Sequence, residues 1–151
     1  MPIRVSPLNG YQLLIKLGDG GSPESFAHPC TINTTRGITF SASPIETQLP
    51  YCDAPTTPSW VEREIDGKSA SIAGAGVLDT DSFDVFWLWF DAGTSKNIQV
   101  MVNVDAAAGG GYWSGRALLT EFQLTGERRA KVEFSCTILS DGEFNWTPVA
   151  T

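Results

Sequence analysis

Apolar and polar residues alternate along much of this chain, most clearly from Lys131 to Leu139. There Val132, Phe134, Cys136 and Ile138 fall on one side and Lys131, Glu133, Ser135 and Thr137 on the other. A period of two is the side-chain repeat of a strand with one face on a core. The same pattern recurs at Ile98, Val100, Val102 and Val104, opposed by Gln99, Met101, Asn103 and Asp105. Leu118, Phe122 and Leu124 alternate with Glu121 and Gln123, and the turn Gly126-Glu127-Arg128-Arg129 joins this strand to the one after it as a hairpin. Earlier, Tyr11, Leu13, Ile15 and Leu17 predict a strand stopped by the tight turn Gly18-Asp19-Gly20-Gly21, and Ile38, Phe40 and Ala42 mark another. Ser69 to Leu78 is small on both sides, with Ser69, Ser71, Ala73 and Ala75 facing one way and Ala70, Ile72, Gly74 and Gly76 the other. A strand of that kind implies that another part of the chain approaches it closely.

One helix is predicted, over residues 79–92. Asp79-Thr80-Asp81 supplies oxygens and negative charge at its start, Phe83, Phe86, Trp87 and Phe90 recur at helical spacing, and Gly93 suits its stop. Val85, Leu88 and Trp89 widen the apolar face beyond what a helix on one sheet requires, so the helix is either wedged between sheet and loops or covered by a second subunit. Residues 43–67 show no periodicity and contain Pro44, Pro50, Pro55 and Pro58, which predicts a long inter-strand loop. Its apolar residues Ile45, Leu49, Tyr51, Trp60, Val61 and Ile65 are costly to leave in water, so it is expected either to meet a partner or to fold back as a lid. Gly109-Gly110-Gly111 predicts a second flexible segment.

The chain has 151 residues, 10 Lys+Arg against 17 Asp+Glu and a net charge of −7. That length suits a single domain, residues 1–151, and the acidic balance argues against adhesion to nucleic acid. The most apolar run, Val85 to Phe90, is too short to span a membrane, and Met1 to Pro7 shows no signal-peptide pattern. Cys30, Cys52 and Cys136 are odd in number and widely spaced, which predicts buried, reduced thiols rather than a disulfide framework. His28 is the only histidine, no GxSxG is present, and His28-Pro29-Cys30 lacks a second ligand pair at metal-site spacing. No catalytic residue, cofactor or metal is expected. Gly74-Ala75-Gly76 has no third glycine at the dinucleotide spacing, since Asp79 stands there, and Glu62/Glu64 and Asp79/Asp81 suit solvent and capping better than glycoside hydrolysis.

The succession Gly10-Tyr11-Gln12-Leu13-Leu14-Ile15-Lys16-Leu17-Gly18-Asp19-Gly20, then Glu24-Ser25-Phe26, resembles the opening of the major tail proteins of long-tailed bacteriophages and gene transfer agents. Ser71 to Asp79 is similar to that family's small-residue strand entering its single helix. Phe122-Gln123-Leu124-Thr125-Gly126 with Val132-Glu133-Phe134-Ser135 resembles its penultimate hairpin, and Ser140-Asp141-Gly142-Glu143-Phe144 its closing turn. The resemblance runs from Gly10 to about Phe144. It implies a mainly β, sandwich or barrel-like subunit with one helix, joining its neighbours into a ring-shaped β-barrel. Hexameric rings would stack into a tail tube that conducts DNA during ejection from a siphophage-like virion. The partners implied are further copies of the chain, tail-tip, tape-measure and terminator proteins, and DNA that passes without specific binding. Assembly is expected in the host cytoplasm, with no membrane involved.

On that reading the 43–67 segment is the stacking loop, with Tyr51, Trp60, Val61, Leu49 and Ile45 at the oligomer interface, and the N-terminal arm, residues 1–9, is a second contact. The polar strand faces are the lumen-lining candidates: Thr39, Ser41, Ser69, Ser71, Glu121, Gln123, Lys131, Glu133, Ser135 and Thr137. Six copies at −7 carry about −42, a wall that keeps phosphates from sticking. The alternative is that these faces meet only solvent. A different class of function, a β-sandwich carbohydrate-binding module, would stack sugars on Tyr112, Trp113, Trp60 or Trp146.

Overall fold

The structure is a computed structural model and describes residues 2–20, 24–29 and 31–149. Eight strands follow one another as β1 (Leu13–Gly18), β2 (Phe26–Ala27), β3 (Thr35–Gln48), β4 (Val61–Val77), β5 (Lys96–Val102), β6 (Gly111–Thr125), β7 (Glu133–Ser140) and β8 (Asn145–Pro148), with helix α1 (Phe83–Ala92) between β4 and β5. All belong to one antiparallel sheet of order β2-β1-β5-β6-β7-β4-β3, with β8 beside the first half of β6. The mainly β subunit with one helix is therefore present. The strands form a single open, curled sheet rather than the two packed sheets of a sandwich. The curl brings Phe40 of β3 within 5.2 Å, ring to ring, of Trp113 of β6.

Alternation decides which side of the sheet is dry. Ile15 and Leu17 of β1, Ile98 and Val100 of β5, Ala117 and Leu119 of β6, Phe134, Cys136 and Ile138 of β7, and Ile72 of β4 pack into one buried cluster with Phe86 and Trp89 of α1. The helix lies on the concave side. Phe86 meets Phe134 at 4.8 Å between ring centres, Trp87 and Phe90 both reach Phe122, and the Trp89 indole N–H donates to the Thr94 carbonyl. Helical bonding starts at Phe83, four residues later than expected: the Asp79 carbonyl accepts the N–H groups of Ser82 and Phe83, so residues 79–82 form a turn before the first α-helical residue. Gly93 ends the helix in the left-handed region, at φ 64°.

The close approach implied by the small strand is made by the segment entering β3. The space a Cβ would need at Gly74 is filled by Ile32, and at Gly76 by the Thr31 carbonyl and Asn33. The Asn33 amide donates to the Val77 carbonyl and accepts the Val77 N–H, so a side chain serves as one more rung of the ladder. His28 braces the same corner, with Nδ1 2.8 Å from the Ile15 carbonyl and Nε2 2.9 Å from the Ile32 carbonyl.

Two expectations are corrected. Residues 43–67 are mostly not a loop: β3 and β4 continue past the sheet as a two-stranded arm, with pairing down to Gln48 opposite Val61. Both faces of this arm are exposed, so no buried side imposes alternation on its sequence. A register shift between Ser43 and Pro44 admits the proline on an edge strand. Gly109-Gly110-Gly111 is a packed turn rather than a flexible run. Gly109 sits at φ 86°, Gly110 is buried against the Val104 carbonyl, and the Trp146 ring fills the space beside Gly111.

Candidate functional site

The register places nine of the ten lumen candidates on one continuous surface, the convex side of the sheet. Thr39 stands opposite Ser71 and Ser41 opposite Ser69 across β3 and β4. Glu121 stands opposite Thr137 and Gln123 opposite Ser135 across β6 and β7, while Thr125 faces Glu133. β4 and β7 close the gap between the two sets, with Ala73 opposite Thr137 and Ala75 opposite Ser135. Short hydroxyls and methyls make up much of this lane, which has few donors of positive charge, and the Leu139–Leu118 pair beside Ser71 interrupts it with apolar surface. Lys131 is the tenth candidate, and it is not part of this lane: β7 begins at Glu133, and Lys131 lies exposed in the turn before it.

The same alternation puts residues on this side that the sequence reading did not assign. Lys16, opposite Gln99, and Arg116, opposite Asn97, bring positive charge to the β1, β5 and β6 part of the face. On the arm, Ile45 pairs with Glu64 and Thr47 with Glu62, and these continue the series Thr39, Ser41 and Ser43. The negative charge of the face is therefore concentrated at Glu62, Glu64, Glu121 and Glu133. Counting charged residues along the chain does not reveal this; register does.

The interface candidates lie along the arm, all exposed, but they do not form one patch. Ile45 follows the polar side, whereas Val61, paired with Gln48, belongs to the side that holds Pro44, Ile65 and the Arg63–Glu46 ion pair of 3.1 Å. Leu49, Tyr51 and Trp60 belong to the tip, residues 49–60, where the Gln48 amide donates to the Ser59 carbonyl. Trp60 is 85% exposed, well beyond Trp87 and Trp146, and an unusual setting for an indole. Of the N-terminal arm, residues 2–9 are exposed and Ile3 is 99% accessible; Met1 lies outside the described residues.

The sugar platform does not form. Trp113 is clamped between Phe40 and Trp146 on the concave side, and Trp60 stands apart on the arm. Among the described residues no group of three or more His, Cys, Asp or Glu is placed to hold a metal ion.

The cysteines differ. Cys136 is buried, and burial pushes its thiol up to about 11, with a partial offset from its hydrogen bond to the Gly74 backbone. Cys52, expected buried, is exposed at the arm tip, and Cys30 and Gly21 lie outside the described residues. In a Cys30→Ser, Cys52→Ser variant, Cys136 is expected to resist a thiol reagent at pH 8 until denaturant is added. Rapid labelling of the folded protein would contradict this. Because the folded pKa lies above the ordinary 9.0, the neutral thiol's contribution to stability is complete below pH 9 and is lost as pH rises through 11.

The sequence profile described as phage tail tube protein matches residues 7–145. No curated protein matches the sequence. Among solved structures, the chain is similar to one from the tail of an empty gene transfer agent particle with C6 symmetry, at 24% identity and TM-score 0.73, covering 93% of this chain and 99% of that one. It is similar to one from the native gene transfer agent virion at 25% identity and TM-score 0.71, with the same coverage. The SPP1 tail tube protein matches at 11% identity and TM-score 0.69, covering 96% of this chain and 81% of that one.

Proposed function

The chain belongs to the phage tail tube protein family, and from that premise we propose that its copies join edge to edge into six-membered rings that stack into a hollow conduit for DNA. Its role is structural, in the virion tail. The observation that carries the proposal is the open sheet. β3 is a terminal strand of 14 residues whose outer side has no partner strand among the described residues, and at the far end β2 covers only Leu17 and Gly18 of β1. Long free edges invite uncontrolled pairing in a monomer. Pairing the β3 edge of one copy with the opposite edge of the next satisfies both, and a head-to-tail contact that rotates about an axis closes into a ring. The comparison with C6-symmetric tails supports six as the number.

In such a ring the convex face, which carries no core, is the one that can line a channel, while α1 stands away from it. The arm projects along the strand direction and suits contact with the next ring, and Leu49, Tyr51 and Trp60 at its tip are the strongest anchors. Tail-tip, tape-measure and terminator proteins would meet the tube at its ends and inside it, with assembly in the host cytoplasm.

The lining is tested by charge. Glu121→Lys with Glu133→Lys leaves both ladders intact, since both side chains are exposed, and is expected to preserve tubes while lowering DNA delivery by about tenfold or more through phosphate attachment to the wall. Particles that deliver DNA normally would show that these carboxylates do not face the channel.

A further inference from the structure

The subunit has two ends of different chemistry. Ser71 pairs with Leu139 and Val77 with Glu133, so the turn between β6 and β7 stands at the Val77 end of the sheet, and the arm leaves from the other. At about 3.3 Å per residue, about 23 Å separates Ala70 from Val77. At the arm end an open groove of about 780 Å³ is walled by Phe40, Ile65 and Phe144 and edged by Asp66 and Glu143, with Lys68 beside them. Asp141 adds negative charge in the same connection between β7 and β8. At the opposite end the turn carries Arg128, Arg129 and Lys131 within four positions of a chain that has only 10 Lys+Arg in all.

These three are exposed, and Leu124 and Val132 beside them are exposed apolar residues. Glu127 and Glu133 flank the cluster, and the Asp79 carboxylate nearby is engaged by Ser82. Among the described residues the only ion pair is Arg63–Glu46 on the arm, so no salt bridge to another described residue neutralises the basic turn. One end is thus apolar with a basic rim and the other apolar with an acidic rim.

We infer that the β6–β7 turn of one copy seats in the groove at the base of the arm of a copy in the next ring. Leu124 and Val132 meet its apolar walls, and Arg128 and Arg129 face Asp66 and Glu143. The inference rests on the stacked-ring reading above and gives that reading its axial contact. Complementary surfaces at opposite ends generate an open-ended series, six contacts form together in each ring, and the charges fix register and speed encounter. This contact is separate from the one made by the arm tip.

Sedimentation and negative-stain images of four proteins test it: wild type, Arg128→Glu with Arg129→Glu, Asp66→Lys with Glu143→Lys, and the variant carrying all four reversals. Each double variant is expected to raise the concentration needed for tubes by at least about tenfold, the fourfold variant to return to within about threefold of wild type, and salt to raise the wild-type requirement. Arg128→Gln with Arg129→Gln, which keeps long side chains at both positions, is expected to shift it in the same direction. Double variants that polymerise like wild type, or a fourfold variant that is folded by circular dichroism but does not recover, would overturn the pairing and leave the tube reading standing. Wild-type protein that forms no tubes would overturn the reading beneath it. A groove defect rescued by Arg4→Glu would assign the groove to the N-terminal segment, and turn variants with normal tubes but poor DNA delivery would assign the turn to nucleic acid. Either result overturns the pairing.

Discussion

Replacing residues 49–60 by a two-residue Asn-Gly turn is expected to leave a folded subunit and to abolish tubes. Gln48 and Val61 already pair at the end of the arm, so a two-residue turn closes the hairpin without changing the register below it. No tip side chain belongs to the buried cluster, so the melting temperature is expected to fall by no more than a few degrees. What is lost is Leu49, Tyr51 and Trp60, exposed apolar groups of the kind that dominate protein contacts, and they are lost from every subunit of a ring at once. A critical concentration for tubes raised by at least about thirtyfold follows if each copy gives up one anchor of about 2 kcal/mol or more. Circular dichroism and electron microscopy read the two halves of this prediction. Tubes of wild-type length would remove the tip from the assembly contact.

The largest effect on folding is expected from Phe134→Ala. Phe134 is almost wholly buried, meets Phe86 of α1 at 4.8 Å and Phe122 at 6.3 Å, and so joins the helix to the middle of the sheet. Truncation leaves a cavity between two elements that cannot easily collapse, at a cost of about 3–5 kcal/mol. That is a large share of the stability of a domain of this size. Denaturant unfolding measures it, and a loss below about 1 kcal/mol would mean that the helix does not depend on this contact.

The sequence foretold different parts of this molecule to different degrees, for physical reasons. β5 and β7 were legible because one side of each is dry and the other wet, and the sign of the alternation also separated Glu121, Gln123, Glu133, Ser135 and Thr137 from the core. Ser69 to Leu78 announced a crowded strand, although only the fold shows that Ile32 and Asn33 crowd it. The arm was invisible as β-structure because Ser43, Glu46, Glu62 and Glu64 are free to be polar where neither face is buried. β2 and β8 are too short to carry a period, and Gly111 gives no sign that the Trp146 ring lies against it. Lys131 precedes the start of β7, so the alternation of the strand does not by itself fix its side. The basic turn and the acidic groove were equally hidden, since their partnership depends on which end of the sheet each occupies.

The central claim is that the free sheet edges of separate copies complete one another around an axis. A reconstruction of the assembled tail at side-chain resolution tests it most directly. The account predicts rings of six in which the outer edge of β3 is hydrogen-bonded to a neighbour's sheet, with Glu121, Gln123, Glu133 and Ser135 turned toward the axis and α1 away from it. A tube in which α1 faces the channel, or in which the β3 edge meets only solvent, would contradict it.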